Sequence, residues 1–180
     1  MIPALPEGFP VPVVVLQHMP PGYTKALAER LDKLSAVAVR EAEEGDRLLS
    51  GQVLVAPSGR QLTFRQGPHG PTVHLVDEIP FQSYYSPSID FTFQEAARMF
   101  HARVLGVVMT GMGSDGTQGL TTIKEAGGRC WGQDEATSVI YGMPRAAAEA
   151  GVLDAVFPLQ ELAGRLSEAV SHPAGHPSAR

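Results

Sequence analysis

The sequence predicts an α/β protein: a doubly wound, mostly parallel sheet with one antiparallel hairpin, in three αβα layers. Two observations carry this. Short, branched, uncharged runs such as Val11–Gln17 and Val104–Thr110 suit strands buried on both faces, the habit of parallel sheets. These runs alternate with stretches whose apolar residues recur at helical spacing, which is the pattern of strand–helix crossovers.

In chain order, residues 1–12 hold Pro3, Pro6, Pro10 and Pro12 and form an irregular lead-in. A strand over Val11–Gln17 ends at His18-Met19-Pro20-Pro21-Gly22, a turn that neither helix nor strand can carry through. Thr24 is a good N-cap for a helix over Lys25–Leu34, with Ala26, Leu27, Leu31 and Leu34 on its apolar side. Ala36–Ala42 reads as a strand. Gln52–Ala56, Gln61–Arg65 and Thr72–Val76 read as short strands of an antiparallel element, joined by Pro-Ser-Gly and Gly-Pro-His-Gly turns. After a polar and aromatic loop over 77–87, Ser88 caps a helix over Ile89–His101.

The stretch Arg103–Gly119 organises the second half. Its apolar run stops at Gly111, Gly113, Gly116 and Gly119, with Asp115 among them. The glycines permit a tight turn with bared amides before a helix over Thr117–Ala126, closed by Gly127-Gly128. There follow a strand Arg129–Gly132, a loop Gln133–Ile140, and a helix to Ala150 with Pro144 in its first turn. A strand Val152–Phe157 and a helix Leu159–Val170 complete a single domain over 1–170. Residues 171–180, rich in Pro, Ser, His and Gly, read as a disordered tail.

Composition excludes several classes. The 180 residues carry a formal net charge of -5, which argues against nucleic acid as partner. No segment is long and apolar enough to insert in a membrane, and no signal peptide opens the chain. Cys130 is the only cysteine, which excludes an internal disulfide and fits a reducing, cytoplasmic setting. Neither His69 and His74 nor His172 and His176 form a ligand set with carboxylates at helical spacing, so no metal is expected.

Two functions compete for the glycine turn. Gly111, Gly113 and Gly116 spell G-x-G-x-x-G between strand and helix, with Asp134 and Glu135 about twenty residues on, as a dinucleotide site requires. Against this, Asp115 sets a carboxylate where a pyrophosphate belongs. In the second reading, His18 and Asp115 are the titratable residues at carboxyl ends of buried-type strands. A histidine oriented by an aspartate is a general base, and amides of Gly111–Gly113 are available for an oxyanion. The nucleophile is missing: G-x-S-x-G occurs nowhere, and no spacing singles out Ser58, Ser88, Ser114 or Ser138. In a third, structural reading His18 bonds a turn and Asp115 caps the helix that begins at Gly116.

Gln17-His18-Met19-Pro20-Pro21-Gly22-Tyr23-Thr24, Val55-Ala56-Pro57, Ser86-Pro87-Ser88-Ile89-Asp90, Met109-Thr110-Gly111-Met112-Gly113-Ser114-Asp115-Gly116, and Gln133-Asp134-Glu135-Ala136-Thr137-Ser138 with Gly142-Met143-Pro144 resemble the catalytic domain of the chemotaxis protein-glutamate methylesterases. The match runs in order from about residue 4 to residue 165. The resemblance implies a cofactor-free serine hydrolase that cleaves glutamate methyl esters on the cytoplasmic helices of methyl-accepting chemotaxis receptors. Many members also deamidate receptor glutamines. It implies His18 as catalytic histidine, Asp115 as the aspartate orienting it, and the Met112 amide in the oxyanion hole. It also implies a phosphorylatable receiver domain outside this chain. The family's nucleophile lies in a Gly-x-Ser-Thr-Gly-Gly segment that none of the 180 residues matches. The expected serine therefore lies upstream of Met1, or the chain is a receptor-binding homologue without turnover.

Overall fold

The computed structural model describes residues 1–79 and 83–171. Strands β1 (Val13–Val15), β2 (Ala38–Glu41) and β3 (Gln52–Val55) form a parallel sheet in the order β1-β3-β2. Strands β4 (Gln61–Gly67) and β5 (Gly70–Val76) form an antiparallel hairpin. Strands β6 (Leu105–Val108), β7 (Arg129–Gln133) and β8 (Ala155–Phe157) form a second parallel sheet in chain order. Five α-helices connect and cover them: α1 (Tyr23–Leu34), α2 (Ile89–Phe100), α3 (Thr117–Glu125), α4 (Met143–Glu149) and α5 (Leu159–Ser171).

The three-layer, mostly parallel α/β class expected from the sequence holds, with the parallel strands divided between two sheets. The central strand β3 explains why the apolar runs are continuous. Val53 and Val55 pack with Ala28 of α1 and Ala163 of α5 on one face. Leu54 packs on the other face against Leu62, Phe64 and Val73 of the hairpin. All three are at most 1% exposed, so neither face of the strand can be polar. The second sheet is covered in the same way, by Leu120 and Ile123 of α3 and Ala147 of α4 on Val108 and Cys130.

Two local expectations change. Residues 52–55 are not antiparallel to the hairpin; they run parallel between β1 and β2. Thr24 is not the cap of α1: the N-cap is Gly22, at φ 88°, and Thr24 lies within the helix. Its hydroxyl instead donates to Glu41 Oε1 at 2.6 Å and accepts from the Ser58 amide at 3.1 Å. A good capping residue served a tertiary bond because Gly22 already supplied the left-handed entry. The expected disordered tail lies outside the described residues, apart from Ser171, the last residue of α5. Among the described residues no helix is long and apolar enough to cross a membrane.

Each parallel sheet ends in a strand bonded on one side only: β1 to β3, and β6 to β7. The two come together at their carboxyl ends, where Leu16 packs on the cluster holding Val108. The segments leaving these two strands build the candidate site.

Candidate active site

His18 follows β1 and Asp115 follows β6, 97 residues apart in sequence. His18 Nε2 lies 2.8 Å from Asp115 Oδ2. An ionised carboxylate only accepts, so Nε2 carries the proton and, in the neutral ring, Nδ1 is left as acceptor. No group among the described residues bonds Nδ1, and the side chain keeps 24% of its surface in solvent. It opens onto a shallow cleft of about 420 Å³ with Pro20, Pro21, Gly59 and Tyr84 on its walls.

Asp115 is 6% exposed and is held from several sides. Oδ2 also accepts from the Ile89 amide at 2.8 Å, and Oδ1 from the Asp90 amide at 2.9 Å. The Ser88 hydroxyl lies 3.4 Å from Oδ1. These are the first amides of α2, which have no partner inside the helix and favour a negative charge. Burial pushes the Asp115 carboxyl up, but the His18 bond and the Asp90 and Ile89 amides outweigh it. The group is held below its ordinary value and stays a carboxylate.

The structural reading therefore needs correction in its partner. Asp115 does cap a helix, but that helix is α2, 25 residues earlier in the chain. The amino end of α3 is taken by Asp90, whose Oδ1 accepts from the amides of Gly116 at 2.9 Å and Gly119 at 2.8 Å. Each helix thus receives a carboxylate from the start of the other. Gly119 lets them approach so closely: a Cβ there would lie 2.5 Å from Phe93 Cβ and 3.0 Å from the Asp90 carbonyl. Burial first, then the neighbouring Asp115, push the Asp90 carboxyl above its ordinary value against the pull of the helix amides.

This arrangement removes the dinucleotide reading. A pyrophosphate needs the free amides at the start of α3, and Asp90 already occupies them. Asp134, the candidate ribose ligand, accepts instead from the Thr137 amide and hydroxyl.

The glycine turn is fixed from the side of α4. Gly111 donates to Ile140 O at 3.0 Å, and its own carbonyl accepts from the amides of Gly142 and Met143. Thr110 exchanges hydroxyl bonds with the Ile140 backbone. Gly111 is thereby spent on structure, so of the three expected amides only those of Met112 and Gly113 have no acceptor among the described residues. The Met112 side chain is 73% exposed beside them. Ser138 donates to Asp134 O at 2.7 Å and Ser114 is exposed at the turn; neither bonds His18. Asp90 and Tyr85 are the site residues that sequence reasoning left without a role. Asp90 carried a signal, an acid in the first turn of α2, whereas Tyr85 carried none.

A family model described as CheB methylesterase matches residues 1–166. The chain is 51% identical over 160 residues to a protein-glutamate methylesterase/protein-glutamine glutaminase of Moorella thermoacetica, covering 89% of the chain and 38% of that protein. It is 49% identical over 164 residues to a protein of the same name from Alkalilimnicola ehrlichii, covering 91% of the chain and 42% of that protein. The chain thus spans about two fifths of the length of these curated relatives. A crystal structure of the Thermotoga maritima CheB methylesterase catalytic domain superposes with a TM-score of 0.90 at 39% identity, covering 93% of this chain and 88% of that one. With the family model matching residues 1–166 and both relatives sharing about half of their aligned residues with it, the chain belongs to the CheB methylesterase family.

Proposed function

We propose that this chain is the catalytic domain of a protein-glutamate methylesterase acting on methyl-accepting chemotaxis receptors. In this reading His18 is the general base, Asp115 orients it, and the Met112 amide receives the oxyanion. The observation that carries it is the 2.8 Å contact between His18 Nε2 and a buried Asp115 carboxylate, at the carboxyl ends of two strands from different sheets. Free amides at Met112 and Gly113 support the oxyanion role.

The chemistry follows from the free nitrogen. Nδ1 takes the proton of a serine hydroxyl as its oxygen attacks the ester carbonyl of a methylated glutamate. Asp115 stabilises the imidazolium that forms. Nδ1–H then protonates the departing methoxide, methanol leaves, and a glutamyl-serine ester remains. Water activated by the same nitrogen attacks that ester, restoring the serine and releasing glutamate. A glutamine side chain follows the same course with ammonia as the leaving group.

The serine is not among these residues in the family's Gly-x-Ser-Thr-Gly-Gly form. The open edges of β1 and β6 support a place for it: an extended segment seated between them ends beside His18. The test is methanol release from methylated receptor membranes by the chain, alone and with a peptide carrying that segment. The reading expects turnover only with the segment, and its loss in His18→Ala. Receptor binding without turnover in either arm would instead favour a non-catalytic binding module. Turnover by the chain alone would mean that Ser114 or Ser138 serves as nucleophile.

A further inference from the structure

The ring of Tyr85 lies flat on the imidazole of His18, with centroids 4.2 Å apart and 7° between the planes. The segment bearing it is pinned. The Tyr85 carbonyl accepts from Gln61 Nε2 at 2.9 Å and from Ser83 Oγ at 3.1 Å, and its amide donates to the same Ser83 oxygen. Gln61 is 5% exposed, and its side-chain oxygen accepts from the Ser88 amide at 2.7 Å. Ser88 in turn is the N-cap of α2, whose first amides hold Asp115. One connected frame therefore fixes His18 twice, at its Nε2 edge through Asp115 and at its face through Tyr85.

The second hold is needed. His18 sits in an irregular segment before two prolines, and among the described residues its one side-chain bond runs through a single ring atom. A single hydrogen bond leaves the ring free to turn about the Nε2–Oδ2 line, which would swing Nδ1 away from any nucleophile. A parallel aromatic face at van der Waals contact removes that freedom. It also covers one side of the Nε2–H, and an imidazolium is attracted to the face of a phenol ring. The far end of Tyr85 reaches the glycine turn, where a Cβ on Gly113 would come within 3.1 Å of its hydroxyl. The ring thus spans from the base to the free amides.

We propose that Tyr85 is a positioning residue that fixes the plane of the His18 ring, so that Nδ1 stays turned to the cleft while Nε2–H remains on Asp115. The consequence for turnover rests on the methylesterase reading; the positioning itself does not. Proton–nitrogen NMR of the full chain, with His18 labelled, tests it in the parent and in Tyr85→Phe, Tyr85→Leu and Tyr85→Ala. Tyr85 is 36% exposed, so these variants are expected to fold. The parent and Tyr85→Phe are expected to show a single Nε2–H tautomer and a low-field Nε2 proton protected from solvent exchange. Tyr85→Leu and Tyr85→Ala are expected to lose that protected resonance and to show mixed tautomers. In protein supplied with its serine segment, the same two variants are expected to lower kcat by about 10- to 100-fold with KM unchanged, and Tyr85→Phe to restore it. An unchanged Nε2 proton in Tyr85→Leu overturns the proposal. So does a Tyr85→Phe variant that behaves like Tyr85→Ala, since the hydroxyl and not the face would then be acting. A positive NMR result with no turnover in any variant would sink the methylesterase reading and leave the positioning role standing.

Discussion

Removing the carboxylate of Asp90 separates geometry from charge at the crossed helix ends. Both amide bonds, from Gly116 at 2.9 Å and Gly119 at 2.8 Å, fall on one oxygen, Oδ1. Asp90→Asn can keep that acceptor; Asp90→Ala leaves two amides at the start of α3 without a partner. Losing an N-terminal cap costs about 1–2 kcal/mol, the loss expected for the alanine variant. For the asparagine variant, the lost attraction between charge and helix dipole is about 0.3–1 kcal/mol. Relief of a buried charge beside the Asp115 carboxylate opposes it, so Asp90→Asn should lie within about 0.5 kcal/mol of the parent at neutral pH. The pH dependence adds a sign. Burial and Asp115 raise the Asp90 pKa in the folded chain. Its contribution is therefore full below the ordinary aspartate value of about 4 and is lost as pH rises through the raised value. The asparagine variant lacks that loss, so its stability relative to the parent should improve from about pH 4 to pH 7. Asp115, held low, behaves oppositely: its contribution is present above about pH 4 and lost as pH falls through the lowered value. Urea melts of parent, Asp90→Asn and Asp90→Ala from about pH 4 to pH 7 measure the two losses at Asp90 and the pH trend of the asparagine gap. If the two variants are equally destabilised at pH 7, or the asparagine gap does not move with pH, the crossed-cap account is wrong.

Two further outcomes follow from close contacts. A Cβ at Gly142 would lie 2.6 Å from the Gly111 carbonyl and 3.1 Å from the Gly113 amide, both backbone. Gly142→Ala should therefore cost about 1–3 kcal/mol and disturb the Met112 turn. Gly111→Ala meets Met143 Sδ, a flexible side chain that can move aside, and should cost less in the same melts; the reverse order would refute this account. The Cys130 thiol is fully buried, bonds Leu120 O at 3.2 Å, and is pushed up to about 11 by burial and by Asp154. It should resist thiol reagents at pH 8 in native protein and react at the rate of unfolding in urea, as stopped reactions read by mass would record.

What the sequence disclosed is what local chemistry dictates. Strands of the β3 kind are buried on both faces and so appear as unbroken apolar runs. The bend around Asp115 is visible because Gly113 and Gly116 sit at φ 88° and 98°, where glycine is the residue without strain. What stayed hidden depends on distant partners. Sequence alone places Gln52–Ala56 in the antiparallel element because turn signals are local, whereas the parallel pairing of Val53 with Val13 spans 40 residues. Asp115 pointed, by sequence, at the helix that follows it; nothing local reveals that α2 supplies the amides. The Tyr85 stack is illegible for the same reason: an aromatic in a loop has no periodicity to betray what it covers.

The side chains of His18 and Asp115 come from segments that follow two sheets sharing no ladder among the described residues. Where their open strands converge, the His18–Asp115 bond and the crossed caps of α2 and α3 are polar links at the site. The same Asp115 oxygens that bond His18 or lie beside it thus also tie the start of α2 to the turn after β6. A group with both duties cannot be removed without loosening the frame around its partner. Its contribution to rate and to stability should therefore be non-additive with that of Asp90, which closes the other half of the crossed cap. Tyr85, by contrast, touches His18 from a segment anchored on Gln61 and Ser88, and its side chain leaves the crossed caps intact. Histidine orientation and fold stability can therefore be separated at Tyr85 in a way that they cannot be at Asp115.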